Sequence, residues 1–286
     1  MSIVRCAVKS LTSSVEKQCW ALKSTAGLNI LPFDMTVESI HKMNWSQMEK
    51  CAIDTVQFED VSLLPLFDRR PDKILGIGLN YRDHLEEQRV PLEKYPQEPV
   101  VFNKFASTVI CHGETIKHPT VTNSLDYELE LAVIMGAGGR HIKEAKAIEH
   151  VFGYTIANDI TARDWQKTRN NKQWILGKSM DTFCPLGPAI VSKEVIAEPH
   201  NLDISCSVNG EVRQSSNTKM LLFKIPQLIS YISSLITLLP GDVILTGTPG
   251  GVGAFRDPPQ FLQPGDTVKC TIEHIGELEN TVEMET

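Results

Sequence analysis

A chain of 286 residues with 42% hydrophobic and 22% charged residues has room for one large domain, or a large domain with a small partner, and the balance of an ordinary globular protein. Its formal charge of -7, without a dense basic block, excludes a nucleic-acid partner held by electrostatics. Seven cysteines without a CxxC pair suit buried thiols in a reducing compartment and argue against thiolate-held zinc, and no apolar run reaches the length of a membrane span.

The first 33 residues hold four basic residues, one acid (Glu16) and five serines, a composition faintly like a mitochondrial presequence. The plainer expectation is that MSIVRCAVK forms a first strand, over Ile3 to Val8. A helix is expected around Val37 to Ala52. VSLLPLFDRRPDK follows, and Pro65 and Pro71 mark it as a linker. The expected organisation is a small N-terminal domain over residues 1–70 and a larger one over 71–286.

KILGIGLNY reads as a strand entering a loop. NYRDHLEEQ then places His84 and Glu87 three apart on one face of a helical turn, with Glu86 pointing away. Such a pair can shuttle a proton near neutral pH, although a surface ion pair has the same spacing.

SLDYELELAVIMG, residues 124–136, puts Asp126, Glu128 and Glu130 on one face of a strand and Tyr127, Leu129 and Leu131 on the other. It runs on through Ala132 to Met135, apolar on both faces like a buried strand. Same-face neighbours lie roughly 7 Å apart. Carboxylates that close, entering a core, need a cation or a raised pKa. A hard ion such as Mg²⁺ or Mn²⁺ takes carboxylate oxygens and keeps positions for water or substrate. The candidate third ligand is Asp159, at the polar end of the strand GYTIANDIT; Asp164, five residues on, competes for that role. Alternating acids on a solvated strand face would give the same Glu128-x-Glu130 pattern.

KEAKAIEHVFG reads as a short amphipathic helix. Lys178, in WILGKSMD, is a single cation among apolar and small residues, where it can meet a substrate carboxylate or developing enolate, or else reach out to water. LDISCSVNGEVRQS is a hairpin turning at Asn209-Gly210. Ile225 to Leu239 carries apolar residues at helical spacing, between Pro226 and Pro240-Gly241. DVILTGT and DTVKCTIEHIG are strands, each introduced by a Pro-Gly-Asp turn. LTGTPGGVG lacks the ending of a phosphate loop and the spacing of a dinucleotide fingerprint, but its backbone donors and the Thr248 hydroxyl can bind a carboxylate. The fold class is therefore mainly β with a few packed helices.

The order of GLNYRDHLEEQ, KFASTVICHGETI, LDYELELAVIMG, NDITARDWQ, WILGKSMDTFCPLGP, VNGEVRQSSNT and PGDVILTGTPGGVG, across roughly residues 73–275, resembles the fumarylacetoacetate hydrolase superfamily. ARDWQ, KQW, DTFCPLGPA and QSSNT bring it nearest to the type-two fumarylacetoacetate-hydrolase-domain proteins. The resemblance implies an α+β, mainly β fold, with a mixed β-roll catalytic domain preceded by a small N-terminal domain, in a homodimer. It implies one Mg²⁺ or Mn²⁺ per subunit on Glu128, Glu130 and Asp159, with no ligand role for Asp126. It makes His84 and Glu87 the proton-handling dyad, Lys178 the active-site lysine, and Arg163, Gln166 and Thr248 substrate-facing residues.

Substrates of the superfamily are 2-oxo acids whose carboxylate and adjacent carbonyl chelate the metal. The type-two resemblance implies an oxaloacetate tautomerase, converting enol to keto in mitochondria; with no clear presequence, the cytoplasm is the alternative. Hydrolysis of a C–C bond in an acylpyruvate or related β-diketo acid is the next reading, followed by oxaloacetate decarboxylation. All three need the same groups. A non-enzymatic metal-binding protein is the remaining class, and the presence of His84, Glu87 and Lys178 together counts against it.

Overall fold

The computed structural model describes residues 2–9, 16–24, 27–35, 39–40, 43, 45–57, 61–64 and 71–286. The strand Leu129–Met135, LELAVIM, is the centre of the molecule, and every residue in it is buried. It pairs antiparallel with Val151–Asn158, also buried throughout, and with Val243–Leu245. From there the main sheet continues through Ile74–Gly78 to the edge strand Val100–Lys104. On its other side it passes through Cys184–Ser192 to the N-terminal strands Ser2–Lys9, Glu16–Ser24, Gly27–Ile30 and Asp54–Val56. The Val243–Leu245/Ile74–Gly78 pair is parallel and its neighbours are antiparallel, so the sheet is mixed.

The two-residue period of the central strand explains why it is apolar on both faces. Leu129, Leu131, Val133 and Met135 join one core cluster, while Ala132 and Ile134 join another. The first cluster fills the space beneath a five-stranded sheet ordered Glu211–Asn217, Asp203–Val208, Thr267–Ile272, Gly276–Met284, Ile116–His118. Its strands alternate buried and accessible, as in Thr267–Ile272, because only one of their faces meets that cluster. The second cluster is closed from the N-terminal side by Trp20, Leu22, Leu31, Ile40, Trp45 and Met48, with Trp45 stacked on Phe152. The described residues before 65 therefore cover the back of the main sheet and extend its edge, through the pairs Ser2↔Val191 and Ile3↔Ile190.

The Asn209-Gly210 hairpin forms as expected, with both residues at positive φ. Gly241 and Gly265 likewise take positive φ in the two Pro-Gly-Asp turns. Other expectations change. SLDYELELAVIMG is two strands, Leu125–Asp126 paired with Thr161–Ala162, and Leu129–Met135 paired with Val151–Asn158. Between them the Glu128 N–H donates to the Asn158 side chain at 3.0 Å instead of to a ladder carbonyl, which breaks the strand at the carboxylates. The segment Glu144–His150 is a 3₁₀ helix, with Ala147 its buried residue. The helix over Ile225–Leu239 ends at Leu235, since Ile236 is extended, and Leu235, Ile236 and Leu239 are exposed. Within Val37 to Ala52 the described helical residues are Ser39, Ile40 and Trp45–Cys51, with Met43 in a bend between them and 37–38, 41–42 and 44 outside the described residues. Of the expected linker VSLLPLFDRRPDK, Val61–Leu63 is a strand paired antiparallel with Ser2–Lys9, and residues 65–70 lie outside the described residues.

Candidate active site

The break in the strand brings three carboxylates together. Glu128 lies at the break, Glu130 at the head of the central strand, and Asp159 just past the end of the neighbouring strand, tied to its partner by Asp159 N–H donating to Glu128 O at 2.8 Å. One oxygen from each falls within 4.8 Å of the others, and all three side chains are buried. Asp164 is elsewhere: its carboxylate accepts from Thr122 Oγ1 at 2.5 Å.

Cations converge on this cluster. Lys178 Nζ bridges Glu128 at 2.6 Å and Asp159 at 2.5 Å. Arg163 Nη1 reaches Glu128 at 2.6 Å, while its Nε donates to Asp126 at 2.8 Å. Lys104 Nζ takes the other oxygen of Asp159 at 2.5 Å and also donates to the carbonyl of Lys178. Burial opposes the charge on Glu128, yet Arg163 and Lys178 override it and hold that carboxyl below the ordinary range. Burial likewise opposes the charge on Lys178, and Asp159 and Glu128 outweigh it, so the amine stays a cation. Glu130 is the contrast. Burial, then the charges of Asp159 and Glu128, push it well above a normal carboxyl, and its described hydrogen bond comes from the Gly247 N–H at 2.5 Å.

The chemistry of the donor set fits a hard divalent cation. The cluster is three carboxylates from rigid strand ends, and no cysteine or histidine among the described residues joins it. Positive charge at this point would remove the repulsion that raises Glu130. Glu128, Glu130 and Asp159 are the residues that would hold the ion.

His84 sits on the short helix Arg82–Glu87, with Nδ1 2.6 Å from Glu87 Oε1. With Nδ1 donating to that carboxylate, Nε2 carries the lone pair available to a reactant. Glu86 is exposed. The second oxygen of Glu87 accepts the Gly251 N–H at 2.7 Å. Gly247 and Gly251 show why the loop LTGTPGGVG is glycine-rich. Both have positive φ, and a Cβ at Gly251 would come within 2.2 Å of the Arg213 carbonyl. The loop's N–H groups serve the chain's own carboxylates: Gly247 serves Glu130, Gly251 serves Glu87, and Gly253 serves Asp126 at 2.7 Å. Thr248 accepts from Gln214 Nε2 at 2.8 Å, which leaves its hydroxyl hydrogen for a bound molecule.

His84, Glu128, Glu130, Arg163, Gln166, Lys178 and Thr248 all line one cavity of about 180 Å³. Pockets for drug-sized ligands measure roughly 300–1,000 Å³, so this smaller one suits a small acid. Glu87 and Asp159 stand behind that lining, holding His84 and Lys178. Arg163 Nη2 is buried without a hydrogen-bond partner among the described residues, a donor waiting for an anion.

Sequence reasoning missed Lys104, Gln214 and the anchoring role of Asp126. A lysine closing the strand VVFNK and a glutamine in a hairpin arm carry no spacing signal. Asp126 was legible as an acid next to the motif, but its partners, Arg163 and the N–H groups of Gly253 and Ala254, come from distant segments.

A mixed β fold that buries three carboxylates beside a His–Glu pair and a lysine defines a class of metal-assisted enzymes for small acids. Residues 73–283 match the model of the fumarylacetoacetate (FAA) hydrolase C-terminal family, and the chain belongs to that family. It is 54% identical over 213 residues, 74% of this chain and 67% of the other, to oxaloacetate tautomerase FAHD2A, mitochondrial, of Bos taurus. It is 50% identical over 240 residues, 82% of this chain and 74% of the other, to oxaloacetate tautomerase fahd2, mitochondrial, of Xenopus laevis. Among solved structures it resembles a fumarylacetoacetate hydrolase from psychrophilic Exiguobacterium antarcticum, at a TM-score of 0.83 and 32% identity with both chains covered in full. The 5-carboxymethyl-2-hydroxymuconate delta-isomerase from Mycobacterium smegmatis gives 0.79 and 32%, again with full coverage of both chains. Hydrolysis and isomerisation thus appear among the names of proteins that share this fold.

Proposed function

We propose that this chain is a divalent-metal-dependent oxaloacetate tautomerase, converting the enol to the keto form in mitochondria as a homodimer with one Mg²⁺ or Mn²⁺ per subunit. The observation that carries the reading is a single small cavity lined by His84, Lys178 and two of the three clustered carboxylates. The names of relatives at 50% and 54% identity support the substrate and the compartment. Residues 71–286 would form the catalytic domain and 1–70 the small N-terminal domain.

A divalent cation on Glu128, Glu130 and Asp159 supplies Lewis acidity where the 2-oxo acid binds. The chain's own groups do the rest. Arg163, whose Nη2 has no described partner, and the Thr248 hydroxyl orient the substrate's oxygens. Lys178 stays protonated and stabilises the negative charge that appears when the enol hydroxyl loses its proton. His84, held by Glu87, moves the proton between that oxygen side and C3. One proton leaves oxygen and one arrives at carbon, so no water is consumed and no fragment is released.

The test is a proton NMR time course of enol-enriched oxaloacetate with Mg²⁺ and again with EDTA. Faster relaxation to the keto form, abolished by EDTA and without pyruvate, is the expected result. Pyruvate would make the enzyme a decarboxylase. No acceleration would overturn the tautomerase and bring acylpyruvate hydrolysis forward.

A further inference from the structure

We propose that Lys167 is the specificity-determining residue for the far end of the substrate: its ammonium receives a second carboxylate and selects dicarboxylic acids over acids of the same length with an uncharged tail. This rests on the reading of the cavity as a site for small 2-oxo acids.

The short helix Arg163–Lys167 places Arg163, Gln166 and Lys167 at positions i, i+3 and i+4, one face, and all three line the cavity. The other cations at this end are already paired with carboxylates, although Arg163 keeps Nη2 in reserve. Arg163 is divided between Asp126 and Glu128, Lys178 between Glu128 and Asp159, and Lys104 is held by Asp159. Lys167 differs. Among the described residues it makes no ion pair, and its Nζ lies 4.0 Å from the centroid of the Phe255 ring. An aromatic face steadies a cation without using its hydrogen-bond donors. The three N–H donors of Lys167 therefore remain available to an incoming oxygen.

The position of Phe255 fixes where that oxygen would be. The ring meets His84 edge-on at a centroid distance of 5.8 Å, and both rings line the cavity. The backbone just before Phe255 is pinned, since the Gly253 and Ala254 N–H groups donate to Asp126 at 2.7 and 2.9 Å. Lys167 thus stands on the wall that carries His84, with its ammonium seated on that wall rather than among the three carboxylates. An acid whose first carboxylate and oxo group engage the carboxylate end of so small a space presents its other end to this wall. The Lys167 side chain as a whole is exposed, so the amine is open to an approaching anion while its ring-side contact desolvates it. Burial, and then the repulsion of Arg163, lower the amine to about 8. A lysine so placed is still largely charged at neutral pH and gains most when a carboxylate arrives.

The experiment uses two unreactive probes that differ in one group. Malate carries a carboxylate where 2-hydroxybutanoate carries a methyl. Their affinities for the Mg²⁺-loaded protein would be measured by calorimetry at pH 7, for the parent chain, Lys167→Met and Lys167→Arg. The parent chain is expected to prefer malate by about tenfold, as one charge-assisted hydrogen bond supplies. Lys167→Met should lose that preference with its 2-hydroxybutanoate affinity unchanged, and Lys167→Arg should restore most of it. A preference that survives Lys167→Met, or none in the parent chain, overturns the proposal. Turnover of enol oxaloacetate is read separately by NMR. Failure to tautomerise with charge selection intact would sink the activity alone, and turnover without charge selection would sink the role of Lys167 alone.

Discussion

Arg163 divides one guanidinium between two carboxylates, with Nε 2.8 Å from Asp126 and Nη1 2.6 Å from Glu128. All three side chains are buried, so neither acid can be neutralised without leaving charge uncompensated. The pairing joins the cavity to the loop after Thr248, because Asp126 also accepts the Gly253 and Ala254 N–H groups. Asp126 thus positions Arg163 and Phe255 from behind.

Replacing Asp126 by alanine should destabilise the fold by about 3 kcal/mol or more, as breaking a buried pair does. Asn, which keeps one acceptor oxygen, should cost less. Urea denaturation midpoints check the order. Mn²⁺ affinity should change far less in Asp126→Asn than in a variant of the triad, because Asp126 holds the arginine and not the ion.

Glu128→Ala and Asp159→Ala should each weaken Mn²⁺ binding by about a hundredfold or more, since loss even of an outer partner costs roughly 10–100-fold. Calorimetric titration reads this directly. Each variant also strips a partner from Lys178, so stability must be followed in parallel by thermal melting. Unaltered affinity in both variants would remove the metal site.

These residues were legible in the sequence to different degrees. Glu128-x-Glu130 beside an apolar run announces an anomaly by local spacing, and His84/Glu87 does so by helical spacing. Asn209-Gly210 specifies its hairpin because only a turn with two positive φ values suits the strands it joins. The break at Glu128 was not legible, since alternation continues through it; the interruption arises from the Asn158 side chain, 30 residues away. Lys104 was hidden for the same reason, its partner Asp159 being 55 residues distant. The early end of the helix at Leu235 was masked by apolar residues that continue the period but lie on the surface. Local rules reach what neighbouring residues decide, and the electrostatic centre is decided by segments brought together from Lys104 to Ala254.

His84→Ala should lower the turnover number for enol oxaloacetate by about 10²–10⁴, the usual range for a general acid–base group, with little change in KM. Glu87→Gln should cost less, because the amide oxygen can still accept from Gly251 while the imidazole loses its charged partner. Steady-state kinetics on both variants separates the dyad from a surface pair. Unchanged turnover in His84→Ala would remove His84 from the proton transfer.

The lowered Lys167 amine makes a prediction with a definite sign. Burial is the main cause and Arg163 the second, partly offset by Glu128, Asp126 and Glu87 facing it from the strand pair and the helix Arg82–Glu87. With the amine titrating at about 8, it is a cation below that pH and neutral above it. Affinity for a second carboxylate should therefore be full below pH 8 and fall as pH rises through it, by about tenfold in all, the preference that the charged amine supplies. 2-Hydroxybutanoate, which has no second carboxylate, should show no such decline. A guanidinium in place of the amine would remain charged throughout this range, so Lys167→Arg should flatten the malate profile. Calorimetry of both probes from about pH 7 to about pH 9.5, spanning the lysine's transition, decides the matter, and parallel profiles for the two acids would show that the titrating group is not Lys167.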